Sequence, residues 1–172
     1  MTSEDKANNI FLEFYTHLVV MDELFEVVVI KELAIKMAIV HTAVRLGQES
    51  KCVSKKVGAI IVRDGRIIST GYNGTISGYH NCNDIFDGEI FDKDEHHRWS
   101  LLHEIHAEQN ALMMAAKHGI AVNNCTMYTS LQPCNNCLKL ILASGIRHVV
   151  FYEFYDKSNY SNEVLDMINH CD

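Results

Sequence analysis

The stretch from Cys125 to Phe154, CTMYTSLQPCNNCLKLILASGIRHVVFYEF, decides the fold. Cys125 to Thr129 reads as a short strand, and Arg147 to Phe154 is apolar and rich in β-formers, as a buried strand is. Between them Pro133 opens a helix that ends near Gly145, with proline in the first turn and glycine just beyond the end. Upstream, Glu104 to His118 reads as a helix that stops at Gly119. Farther back, Val57 to Val62 and Arg66 to Tyr72 are β-branched runs joined around Asp64-Gly65, a dipeptide suited to a type I′ turn, and they predict an antiparallel hairpin. A hairpin followed by helix, strand, helix and strand implies a three-layer α/β domain, a mixed β-sheet flanked by helices.

The flanks are less regular. Asn73 to Ser100 carries Gly74, Gly78 and Gly88, few periodic apolar residues and many polar ones, which predicts a long loop. A loop of that length inside a compact domain is commonly functional. Ile10 to Gly47 favours helix, because Leu33, Met37, Val40 and Val44 recur at spacings of three and four before Gly47; the β-branched run Val27 to Ile30 fits a strand as well. Asn162 to His170 reads as a closing helix. The composition shift near residue 25 divides the chain into an N-terminal extension, 1–25, and one domain, 26–172.

With 172 residues, 48% apolar and 22% charged, the chain is long enough to bury a core without disulfides. The formal net charge is −7 and no Lys/Arg run exceeds Lys55-Lys56. That balance excludes a broad footprint for a nucleic-acid backbone, whereas a small anionic nucleotide needs only one or two local cations. No cationic flank with an apolar stretch opens the sequence, and Val27 to Ile30 is hemmed in by Glu26 and Lys31, so neither a signal peptide nor a membrane span is expected. A cytoplasmic location is the expectation. In that reducing compartment the six cysteines point to metal binding or packing before disulfides. Cys125 and Cys171 acquire no role beyond packing or a free thiol.

The chemistry concentrates in His106-Ala107-Glu108, at the start of one predicted helix, and Pro133-Cys134-Asn135-Asn136-Cys137, at the start of the next. In parallel α/β units such helix N-termini emerge at one sheet edge, so the two motifs can face each other. Cys134 and Cys137, three apart, can point both sulfurs at one ion, and the positive helix end favours thiolates. His106 supplies a third ligand, and three protein ligands leave a tetrahedral zinc one open position, the arrangement of a catalytic site at which water is activated. Glu108, two residues past His106, is the natural proton shuttle beside that position. His-x-Glu with Pro-Cys-x-x-Cys is similar to the signature of zinc deaminases that act on nucleobases.

From Ser50 to Lys157 the chain resembles the deoxycytidylate (dCMP) deaminase family, the bacteriophage members above all. The resemblance rests on Ser50-Lys51-Cys52, Lys56-Val57-Gly58-Ala59, the run Gly65 to Gly74 with its Gly71-Tyr72-Asn73-Gly74, and Glu104-Ile105-His106-Ala107-Glu108-Gln109-Asn110-Ala111. It implies a cytidine deaminase-like fold and hydrolytic conversion of dCMP to dUMP, feeding thymidylate synthesis in the cytoplasm, a host's if the chain is phage-encoded. It further implies a homo-oligomer, a hexamer, regulated by dCTP and dTTP with Mg2+. For the substrate it implies that Asn73 contacts the sugar, that Ala107 offers backbone contact to the base edge and that Tyr155 lies against the pyrimidine. It also implies a second, structural zinc held by Cys52, Cys82, His96 and Glu104, clipping the long loop to the helix that carries His106; the neighbouring His97 and His103 read first as surface residues. One departure is plain: the proline expected after Tyr-Asn-Gly is absent, and Gly74 runs on into Thr75. The alternatives are another zinc deaminase, acting on dCTP, a nucleoside, guanine or tRNA adenosine, and a nucleotide-binding protein without turnover, which the presence of Glu108 disfavours.

Overall fold

The computed structural model describes residues 23–86 and 91–155. Contacts divide the chain into units Met1–Ala38 and Ile39–Asp172, and the fold below is that of the second. Helix α1, Glu23–Gly47, bridges the boundary between them in sequence. The expected start of this helix near Ile10, and the closing helix at 162–170, lie outside the described residues.

Strands β1 (Gly58–Arg63) and β2 (Arg66–Tyr72) form the expected hairpin. Its turn residues Asp64 and Gly65 have φ of 51° and 72°, the paired positive values of a type I′ turn. A register shift between Ile61 and Val62 adds a bulge. Strand β5 (Thr126–Leu131) runs antiparallel to β1, and β6 (His148–Glu153) runs parallel to β5, so the mixed sheet has the order β2-β1-β5-β6.

Alternation along β1 builds the three layers. Ala59 and Ile61 turn to one face and pack with Met127 against Ala107, Ala111 and Leu112 of α4 (Ala107–Lys117) and Ile141 of α5 (Asn135–Ala143). Ile60 and Val62 turn to the other face and pack with Tyr128 against Val40 and Ala43. Both faces of β1 are therefore buried, which is why its sequence is continuously apolar. Glycine is needed at two contacts: a Cβ on Gly58 would overlap the Ala43 carbonyl, and one on Gly71 would overlap the Ala107 carbonyl and the Ala111 amide. Gly71 thereby lets α4 lie directly on β2.

The stretch 73–100 is not the long loop that the sequence predicts. It contains β3 (Gly74–Thr75), the short helix α2 (Cys82–Ile85) and most of α3 (Lys93–His103). Helix α3 escapes sequence reading because among its residues only His96 is buried, so it has no apolar stripe to betray a period. Its start is set instead by Asp92, whose carboxylate accepts from the amides of Asp94 (2.8 Å) and Glu95 (3.0 Å).

The single helix expected over Glu104 to His118 is also corrected. Glu104–Ile105 is a two-residue strand, β4, that pairs antiparallel with β3, and α4 begins only at Ala107. Pro133 lies just before the N-cap residue Cys134 and outside the helical turn. Among the described residues no helix is long and apolar enough to cross a membrane.

Candidate active site

His106 and Cys134 are the N-cap residues of α4 and α5, both with extended backbone (ψ 157° and 165°). A helix start leaves amides unpaired and a positive end exposed. Gln109 secures the first cap, its Oε1 accepting from the His106 amide at 3.1 Å. Cys137, one turn into α5, brings its sulfur to 3.3 Å from His106 Nδ1, and Cys134 brings its own to 3.6 Å. The ligand atoms of His106, Cys134 and Cys137 all lie within 4.8 Å of one another. Two thiols and an imidazole at this spacing form a donor set suited to zinc.

The electrostatics suit a cation as well. A hydrogen bond from Cys137, reinforced by His106, holds the Cys134 thiol down to about 3 against the opposing effect of burial. Cys137, the donor in that bond and itself buried, is driven up. The bond with Cys134 also raises His106 above the usual imidazole range. Glu108, only 4% exposed, follows in the first turn of α4. Burial lifts its carboxyl above the ordinary range, opposed by a hydrogen bond to its own amide and by His106.

His106, Cys134 and Glu108 border a cavity of about 460 Å³ that is also lined by Lys55, Asn73, Ala107, Gln132 and Tyr155, within the size range of small-molecule sites. Asn73 is nearly buried, and its amide is engaged by main chain: Oδ1 accepts from the Val57 amide at 2.8 Å and Nδ2 donates to the Lys55 carbonyl at 2.8 Å. A contact with a sugar would have to use its remaining hydrogen or lone pair. Ala107 is fully buried at the start of α4. The Tyr155 amide donates to Gln132 Oε1 at 3.2 Å, and its ring has the Lys55 ammonium 4.2 Å from its centre.

A second cluster shares the cavity wall. Cys52 and Cys82 bring their sulfurs to 3.6 and 3.3 Å from His96 Nε2, and the Cys52 thiol reaches Glu104 Oε2 at 3.5 Å. Burial raises all three acids of the group, Cys82 to about 12. The other Glu104 oxygen, Oε1, is buried without a hydrogen-bond partner among the described residues, an arrangement that costs stability unless a cation completes it. The thiols, the imidazole and the orphaned carboxylate oxygen together fit a divalent metal.

Four segments meet in this cluster: the approach to β1, α2, α3 and β4. What the cluster ties down is therefore a pair of helices and a strand before α4 begins. His97 is exposed, as expected, whereas His103 is half-buried and stacks on Trp99 and Tyr79. Sequence reading missed Phe86 and Phe91, whose rings flank His96 at 5.1 Å, and Trp99, which packs on Phe86. The signal available was three large aromatics inside an otherwise polar stretch. Lys55 and Gln132 were missed too, and neither carries a local signal.

The geometry is that of a metal-dependent deaminase, and comparison with known proteins agrees. Residues 34–153 match the family model described as the cytidine and deoxycytidylate deaminase zinc-binding region, and the chain belongs to that family. It is 40% identical to the deoxycytidylate deaminase of Enterobacteria phage T4 over 151 residues, covering 70% of this chain and 78% of the relative. Identity to the deoxycytidylate deaminase of Enterobacteria phage T2 is 39%, with 70% and 80% covered. Among solved structures, the dCMP deaminase of cyanophage S-TIM5 in complex with dCMP and dUMP superposes with a TM-score of 0.63 at 32% identity, covering 80% of this chain and 92% of that one.

Proposed function

We propose that this chain catalyses zinc-dependent hydrolytic deamination of dCMP to dUMP and ammonia. The observation that carries the reading is the buried Glu108 carboxyl next to the His106, Cys134 and Cys137 donor set, with Glu108, His106 and Cys134 lining one cavity of about 460 Å³. The phage and cyanophage relatives, named for this substrate, support the choice of base and phosphate.

His106, Cys134 and Cys137 would hold the catalytic zinc, which when bound supplies Lewis acidity that activates water at neutral pH. Water oxygen adds to the ring carbon bearing the amino group, the carbon–nitrogen bond breaks, and ammonia leaves. Glu108 moves the protons: its carboxylate takes one from the attacking water and delivers it to the adjacent ring nitrogen, then takes the second from the added hydroxyl and delivers it to the departing amine, and burial, which raises its pKa, favours the proton-carrying form between transfers. Ala107 offers main chain to the base edge, Tyr155 offers a ring face to the pyrimidine, and Asn73 faces the sugar while bracing the wall. Cys52, Cys82, His96 and Glu104 would hold a structural zinc. Regulation by dCTP and dTTP with magnesium, a hexameric assembly, a role in thymidylate supply and a cytoplasmic setting complete the proposal on the strength of the family resemblance.

The test is ammonia release from dCMP, dCTP, deoxycytidine, guanine and a tRNA stem-loop, with zinc measured in the same sample. We expect dCMP to be preferred, with Glu108→Gln lowering kcat by about 10²–10⁴-fold at unchanged zinc content. A different preferred substrate would overturn the dCMP assignment, and substantial turnover by Glu108→Gln would remove Glu108 from the proton path.

A further inference from the structure

We propose that Lys55 is the phosphate-recognising residue of this site and sets its preference for a nucleoside 5′-monophosphate over the nucleoside. The inference rests on the deaminase reading above and adds to it a residue that no motif in the sequence marks.

A protein of net charge −7 repels a phosphate at long range, so an anionic substrate must be met by a cation within the cavity itself. Among the described residues the lining contains two Lys or Arg residues, Lys55 and Lys93. Its two carboxylates are already engaged by the donor clusters: Glu104 bonds to Cys52, and Glu108 adjoins Cys137. Lys55 has no carboxylate partner among the described residues; its ammonium instead stands 4.2 Å from the centre of the Tyr155 ring. An ammonium held over an aromatic face keeps its donors available for a stronger, charged acceptor.

Lys55 also springs from an unusually well-held point. Asn73 grips the segment on both sides, donating to the Lys55 carbonyl and accepting from the Val57 amide. The Tyr155 amide is tied to Gln132, which anchors the main chain that carries the ring shelving the ammonium. A flexible lysine stem is thus launched from a braced wall toward a braced ring, which lowers the entropy lost when a phosphate is bound. Lys93, by contrast, opens α3, where the Asp92 cap orders the main chain but no aromatic ring shelves the ammonium among the described residues. The neighbouring Lys56 lines a different, shallow pocket with Ser50, Lys51 and Asn83 and serves as the charge-matched control.

The experiment compares wild type, Lys55→Ala, Lys55→Arg and Lys56→Ala in two ways. Turnover is measured on dCMP and deoxycytidine, and binding of dUMP and deoxyuridine is measured by calorimetry on the zinc-loaded protein. We expect Lys55→Ala to lower the ratio of kcat/KM for dCMP to that for deoxycytidine at least tenfold, through KM, and to shrink the affinity gap between dUMP and deoxyuridine by the same factor. Lys55→Arg should restore most of both, and Lys56→Ala should leave both ratios within about twofold of wild type, since it removes the same charge outside the cavity. Loss of dCMP and deoxycytidine turnover in equal proportion, an affinity gap that persists in Lys55→Ala, or no gap in wild type would each overturn the assignment. Wild type that binds dUMP over deoxyuridine but deaminates neither cytosine compound would instead sink the catalytic reading and leave the Lys55 result to stand on binding alone.

Discussion

The two cysteine–histidine clusters use the same donor chemistry in opposite surroundings. His106, Cys134 and Cys137 sit at two helix N-termini, with His106 exposed and Cys134 half-exposed, and a buried carboxyl stands beside them. Cys52, Cys82 and His96 are all buried, packed among Phe86, Phe91 and Trp99, and the Cys52 thiol reaches the Glu104 carboxylate. Three donors, one of them exposed, leave a tetrahedral ion one position for a reacting molecule, whereas three buried donors backed by a carboxylate can fill all four. Ligand count and access separate a site that does chemistry from one that holds segments together, even when both are made of cysteine and histidine.

The largest expected effect comes from attacking each cluster in turn. Cys134→Ser should lose one zinc and lower turnover more than about 100-fold, beyond the cost of disturbing a mere supporting residue, while the melting temperature moves little. Cys82→Ser should lose the other zinc and lower the melting temperature by about 5–15 °C, as expected when a tightly bound metal no longer stabilises the folded state, with residual turnover well above that of Cys134→Ser. Metal analysis, thermal melts and kinetics on the two variants decide the matter. Equal losses of activity and stability would erase the distinction between the clusters.

A smaller effect tests how the open cluster is positioned. Gly71→Ala places a methyl against the main chain of α4 at Ala107 and Ala111, which should cost about 1–3 kcal/mol in denaturant unfolding and depress kcat, because α4 carries His106 and Glu108. Wild-type stability in this variant would show that α4 can shift freely on β2.

The smallest effect concerns the frame of the closed cluster. The amides of Glu95 and Asp94 hold the Asp92 carboxyl below its usual value of 3.8. A carboxyl depressed in the folded state contributes stability above its unfolded pKa and loses that contribution as pH falls through the folded one. Asp92→Ala should therefore lower the melting temperature slightly at neutral pH and match wild type in strong acid. A deficit that persists after the carboxyl is fully protonated would mean that the cap acts through something other than its charge.

The hairpin, β5, β6, α4 and α5 were legible in the sequence because each buries a regular apolar face or carries a turn signal, and burial writes its period into the chain. His106, Glu108, Cys134 and Cys137 were legible because their spacings place them at consecutive helix starts, where local geometry alone brings side chains to a common edge. Helix α3 left no such trace: it buries a single histidine, and a helix held by a cap and one buried donor has no amphipathic pattern to read. The meeting of Cys52, Cys82, His96 and Glu104 spans four segments, so a resemblance could suggest it but spacing could not. Lys55 lies farther still from sequence reading, since an exposed lysine becomes a cavity residue only when Asn73 and Gln132 fix the two walls that face it. The sequence by itself determined the hairpin, β5, β6, α4, α5 and the first donor set, which depend on neighbours along the chain; the tertiary structure alone decided the buried second cluster and the charge at the cavity, which depend on residues far apart in sequence being carried to one place.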